Sequence, residues 1–178
     1  VDLGINNIAN VPASDLEWDA QSIQDYKDNY EKILDMYIDI LNDETNKRNI
    51  SLYKVDQALN LALEPIKEDT SMCNIGNPRW VIVDWKGDIW PCPDYPTTDN
   101  VDLIAGKIGN FYTGVDETKV DPKPMVATYE LERCKGCEAI SICKSGCPYE
   151  NYTKNGKFNE PTIGYCTLQK AFVEIIKA

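Results

Sequence analysis

The residues best suited to chemistry in this 178-residue chain are its seven cysteines, all beyond residue 72. Cys73 is followed by thirteen residues, Gly87, four residues and Cys92. After a gap come Cys134-x2-Cys137-x5-Cys143-x3-Cys147, and after another gap Cys166. Thiolates are soft ligands suited to iron–sulfur clusters, zinc or copper(I). Two of them spaced by two residues grip one centre from a single turn, and the remaining ligands must come from distant segments. Zinc favours sets of four, commonly as two C-x2-C pairs; one such pair is present, and seven thiols do not fill two zinc sites. A disulfide framework would leave one thiol over and mostly serves shorter, secreted chains. Two iron–sulfur clusters, one on four cysteines and one on three, use all seven. The chain has no histidine, which excludes Ser-His-Asp and Cys-His catalysis, zinc-protease helices and haem held by imidazole.

These thiols need elements to place them. Trp80–Asp84 and Ile89–Cys92 read as strands joined by Trp85-Lys86-Gly87-Asp88, a short hairpin with a G1 bulge in which Gly87 takes positive φ. From Pro93 to Tyr129 the chain is rich in Asp, Thr, Pro and Gly, with one short element over 104–111. Residues 134–159 predict loop with short helical turns. Residues 165–176 predict a closing helix with Leu168, Ala171, Phe172, Ile175 and Ile176 on one side. Upstream, the first dozen residues read as one short strand plus a loop. Ile23, Tyr26, Tyr30, Ile33, Leu34, Tyr37 and Leu41 recur at helical steps, with Ser14 or Asp15 as the N-cap. Asn42–Asn49 reads as loop, and Tyr53–Leu63 as a second helix that Pro65 closes.

Composition bounds the partners. The net charge is -11, from 18 basic and 29 acidic residues. Such a surface repels phosphate backbones and anionic lipid, so neither nucleic acid nor a membrane is expected as a partner. No apolar stretch is long enough to span a bilayer. The start, Val1-Asp2-Leu3-Gly4, lacks a basic leader region, which predicts a cytoplasmic protein. Ten acids and two lysines between Asp15 and Glu44 make a solvated helix face, or a docking face for a basic peptide. Between Arg133 and Lys157 five basic residues meet two acids; cations there suit an anionic cluster, or are ordinary surface residues. Asn49-Ile50-Ser51 and Asn151-Tyr152-Thr153 match the glycosylation sequon by composition alone. Trp80 and Trp90 read as core and as cover that keeps water from a cluster.

The cysteine order and Gly87, from Cys73 to Cys166, resemble the SPASM domain. This is the C-terminal domain of radical S-adenosylmethionine enzymes that mature subtilosin, pyrroloquinoline quinone, anaerobic sulfatases and mycofactocin. Gly146-Cys147-Pro148 and Gly164-Tyr165-Cys166 are similar to the peptide-modifying members. The resemblance covers just over half the chain. It implies two auxiliary 4Fe-4S clusters, the first on Cys73, Cys92 and Cys147, the second on Cys134, Cys137, Cys143 and Cys166. Gly87 would hold the structural turn that returns Cys92 toward Cys73. The first cluster then has one iron to spare, which is open, taken by substrate or bound by an oxygen ligand. Asp84, Asp88 and Asp94 lie near in sequence and read first as turn or surface residues.

The radical-generating cluster of that superfamily uses Cys-x3-Cys-x2-Cys. Cys143-x3-Cys147 begins that spacing, but Glu150 stands in the third place. No S-adenosylmethionine-binding or catalytic residue is therefore assigned, and this chain does not cleave S-adenosylmethionine alone. The resemblance implies an α+β chain: the last strand and helices of a partial (β/α) barrel over 1–65, then a cysteine-rich SPASM domain with a short hairpin over 66–178. The implied parent is an oxidoreductase that modifies a ribosomally made peptide or protein. Its partners would be that substrate, the rest of the barrel and a reductant such as ferredoxin or flavodoxin. Two other readings stand beside it: a non-catalytic zinc-binding interaction module on Cys134, Cys137, Cys143 and Cys147, and a stand-alone electron-transfer protein.

Overall fold

The computed structural model describes residues 5–45, 50–63, 80–97, 106–120 and 131–177. Cys73, Pro65, the sequon residue Asn49 and the whole stretch from 98 to 105 lie outside the described residues. The chain is mixed helix and sheet. Its elements run β1 (Asn7–Ile8), α1 (Ala20–Asn42), β2 (Ser51–Leu52), α2 (Tyr53–Leu63), β3 (Ile82–Val83), β4 (Asp88–Trp90), β5 (Gly109–Asn110), β6 (Gly114–Val115), α3 (Pro148–Asn155) and α4 (Ile163–Lys177). They fall into two compact units. The first comprises Val1–Ile66, Gly136–Cys143 and Ile163–Ala178; the second comprises Lys67–Lys135 and Lys144–Thr162.

In the first unit β1 pairs with β2 in parallel, Asn7 opposite Ser51 and Ile8 opposite Leu52. Parallel neighbours need a long crossover, which α1 supplies. The helix starts later than its sequence suggests. Asp19, not Ser14 or Asp15, is the N-cap, and its carboxylate accepts from Ser22 N–H at 2.7 Å. The apolar period begins only at Ile23, one turn inside the helix, so the earlier polar residues read falsely as its cap. Tyr30 and Tyr37 of α1 pack with Leu52, Val55 and Ala58 around β2 and α2, and with Phe172 and Ile175 of α4. On α1, Ile33 and Leu41 fall outside this core and are exposed. On α4, Val173 is buried whereas Ile176 is exposed. The N-terminus of α4 runs against the segment before α1: a Cβ at Gly164 would stand 2.4 Å from the Leu16 carbonyl oxygen and 2.7 Å from that of Ser14.

The second unit is built on a four-stranded antiparallel meander, β3-β4-β5-β6. Its first hairpin closes with Gly87 N–H donating to the Asp84 carbonyl and Asp84 N–H donating to Asp88, both at 3.0 Å, and Gly87 has φ +80°. That is a type I turn followed by a left-handed residue, the G1 bulge form. Asp84 locks the turn from within. Its carboxylate accepts from Lys86 N–H at 2.8 Å, Asp88 N–H at 3.0 Å and Trp90 Nε1–H at 3.0 Å. α3 is longer than the short helical turns expected within 134–159. Pro148 fits the first helical position because its missing N–H is not needed, and Gly156 ends the helix at φ +72°.

Candidate metal centre

Six of the seven cysteines are described, and none of the six is in a disulfide. Each is partly exposed. Cys92, Cys134 and Cys147 belong to the second unit; Cys137, Cys143 and Cys166 belong to the first.

Within the second unit the aromatic residues of two segments meet. Trp90, at the end of β4, and Tyr95 are buried, and around them pack Ile82, Cys92, Tyr149, Tyr152 and Phe158. The Tyr95 and Tyr149 rings lie 6.0 Å apart, and Tyr152 stacks on Phe158 at 4.5 Å. Tyr149 and Tyr152 stand on the first turns of α3, directly after Cys147. The same packing that buries Trp90 thus draws Cys92 and Cys147 into one neighbourhood. The electrostatics agree. Burial pushes the Cys92 thiol up to about 12, and the charges of Asp94 and Cys147 push the same way. The Cys92 thiol donates to Asp94 Oδ2 at 3.6 Å.

The backbone before Cys147 is shaped as well. Ser145 (φ +61°) and Gly146 (φ +75°) are both left-handed, and Ser145 is the one described residue other than glycine with positive φ. An L-residue holds such a conformation only when its surroundings impose it. Asn151 imposes it here. Its side chain, 1% exposed, donates to the Ser145 carbonyl at 2.6 Å and to the Phe158 carbonyl at 2.9 Å. The sequon at Asn151 is therefore a buried structural amide. Its Oδ1 atom is buried with no hydrogen-bond partner. Gly136, between Cys134 and Cys137, also has positive φ, +67°.

Other residues take more ordinary parts. Trp90 is core, as its position suggests, whereas Trp80 is half exposed. Asp88 is taken up by Lys107 Nζ at 3.2 Å and Asn110 Nδ2 at 3.0 Å. The basic run from Arg133 to Lys157 is largely balanced by carboxylates just outside it. Arg133 pairs with Glu160 at 3.8 Å, Lys157 with Glu160 at 3.1 Å and Lys135 with Glu132 at 2.6 Å. A count over the sequence window misses those two acids, which sit one residue before it and three after.

Among the described residues no group of three or more Cys, Asp or Glu side chains stands close enough to hold a metal ion. A cubane distributes its ligands over four irons, so their donor atoms stand farther apart than those round one ion. The donor chemistry of the second unit suits such a ligand set: two thiols sharing a neighbourhood, one of them embedded in aromatic rings, and a turn held in a strained conformation beside the other. Compared with models of protein families, with curated proteins and with solved structures, the chain matches none.

Proposed function

We propose that this chain is the auxiliary cluster-binding, C-terminal portion of a radical S-adenosylmethionine maturase of the SPASM kind, acting on a ribosomally made peptide or protein. Cys73, Cys92 and Cys147 would hold the first 4Fe-4S cluster, and Cys134, Cys137, Cys143 and Cys166 the second. The observation that carries the reading is the neighbourhood of Cys92 and Cys147, two thiols far apart in sequence that the resemblance assigns to one cluster. The parallel β1-α1-β2 crossover supports the barrel remnant, since strand, helix and parallel strand is the repeating step of a (β/α) barrel.

When bound, the clusters would supply a one-electron path to and from the substrate site. The chain's own residues do the positioning. Trp90, Tyr95 and Tyr149 keep water from Cys92, and exclusion of water tunes a cluster's potential. Asn151 holds the left-handed turn that sets Cys147 at the start of α3. The Gly87 turn returns β4, and with it Cys92, to the aromatic cluster.

Iron and acid-labile sulfide assays on anaerobically prepared protein test the proposal. About eight of each per chain are expected, with broad absorption near about 400 nm. Colourless protein carrying zinc would replace this reading with that of a zinc-binding interaction module.

A further inference from the structure

The chain contains a single Asn-Gly pair, Asn155-Gly156, and it falls at the end of α3. We propose that Asn155 is a site of spontaneous covalent modification, deamidation through a cyclic imide, which the fold holds in check until the last turn of α3 opens. The inference goes beyond the cluster reading and does not depend on it.

The reaction needs no cofactor. The Gly156 backbone nitrogen attacks the side-chain carbonyl carbon of Asn155. A nitrogen–carbon bond forms, the bond to Nδ2 breaks, and ammonia leaves with the Gly156 proton. Water then opens the imide at either carbonyl, to aspartate or isoaspartate. Glycine supplies the least hindered nitrogen for this step, since it carries no Cβ. Asn155 is exposed, so water reaches it. Both reacting groups are nevertheless occupied in the fold. Gly156 N–H donates to the Tyr152 carbonyl at 2.8 Å, the bond that caps α3. Asn155 Nδ2 donates to the Glu160 carbonyl at 2.8 Å and the Pro161 carbonyl at 3.3 Å. Attack therefore requires the amide to leave its two carbonyls and the cap bond to break, which is a local opening.

The change has a structural consequence. Two asparagines fold the segment after α3 back onto the helix: Asn151 donates to the Phe158 carbonyl at 2.9 Å, and Asn155 donates to those of Glu160 and Pro161. The product carboxylate has no N–H to donate and would face two carbonyl oxygens. Arg133 donates to the same Pro161 carbonyl, so the clamped segment reaches the residue before Cys134. A chain that has spent time open thus carries a permanent extra negative charge and a loosened 157–161 segment.

The test incubates the full chain at mildly alkaline pH, with and without guanidinium chloride, and maps aspartate and isoaspartate by mass spectrometry. In denaturant Asn155 is expected to convert faster than every other asparagine. In the native protein its conversion is expected to be at least about tenfold slower. Equal rates in the two conditions, or another asparagine ahead of Asn155 in the denatured chain, overturn the proposal. Asn155→Asp tests the clamp separately: hydrogen exchange across 157–161 is expected to quicken about tenfold, with α1 unaffected. Exchange across 157–161 that stays unchanged in this variant overturns the assignment of the amide as the clamp.

Discussion

The two units of this chain are stabilised in different ways. The first rests on long helices: α1, α2 and α4 are 23, 11 and 15 residues long, and they bury Tyr30, Leu168 and Phe172 almost completely. Among its described residues the second has strands of two or three residues and a helix of eight. Its cluster around Trp90 and Tyr95 includes a cysteine. Strands that short make few ladder hydrogen bonds, and small units of this kind generally need cross-links or metals as staples. The lesson is that the first unit's core is aliphatic and aromatic packing between long helices, whereas the second's buried aromatic residues pack beside a thiol, Cys92.

The largest test of that contrast removes a thiol. On the proposed two-cluster reading, Cys147→Ser is expected to lose about four of about eight irons per chain, because the first cluster would lose a third of its cysteines. Far-UV circular dichroism should retain the helical signal of the first unit, whose core is built on Tyr30, Tyr37, Leu52, Val55, Ala58, Phe172 and Ile175. Loss of that helical signal together with the iron would mean that the units do not differ as described.

The converse substitution comes next. Phe172 is 1% exposed, with its ring 5.3 Å from that of Tyr30 in an edge-on arrangement. Phe172→Ala is expected to cost about 3–5 kcal/mol in urea unfolding followed by helical signal. On the same reading, iron held through Cys92 and Cys147 should persist at urea concentrations where the mutant helices have begun to unfold.

A pH prediction belongs to the first unit alone. The Lys54 ammonium lies 4.5 Å from the centre of the Phe172 ring and donates to Tyr26 Oη at 3.2 Å. Burial lowers its pKa to about 8 from 10.5. Between those values the unfolded chain holds a proton that the folded chain has released, so stability rises with pH across that window. Burial also raises Tyr30 to about 12 and raises Tyr26 further. Above about 10 the unfolded tyrosines ionise first, and stability falls again. Chemical denaturation at a series of pH values should show the maximum between, and Lys54→Met should abolish the rising limb.

How much of this was legible in the sequence follows from range. The Gly87 turn and the span of α2 are local: a glycine at a turn and an apolar period declare themselves. The β2 strand does not, because two residues cannot alternate and its partner β1 pairs across the whole of α1. The α3 helix carried readable signals in Pro148 and Gly156, hidden by the cysteines and glycines around them. The packing of Trp90 and Tyr95 with Tyr149 and Tyr152, which gathers Cys92 beside the helix that follows Cys147, is long-range and no local pattern records it.

The smallest expected effect sharpens the comparison by contrasting one glycine from each unit. At Gly87 the φ of +80° is the difficulty, since the nearest atom to an added Cβ is 3.6 Å away, an ordinary contact. Gly87→Ala should therefore cost about 1–2 kcal/mol, the penalty for a left-handed L-residue, and leave the hairpin formed. Gly87→Asn should cost less, because asparagine tolerates that conformation. At Gly164 the conformation is ordinary but the space is missing: the Leu16 and Ser14 carbonyls are backbone atoms that cannot rotate aside. Asparagine at that position should be worse than alanine, reversing the order seen at Gly87. Urea midpoints for the four single variants measure both orders. The same order at both glycines would show that conformation and close approach are not the separate constraints the two units display.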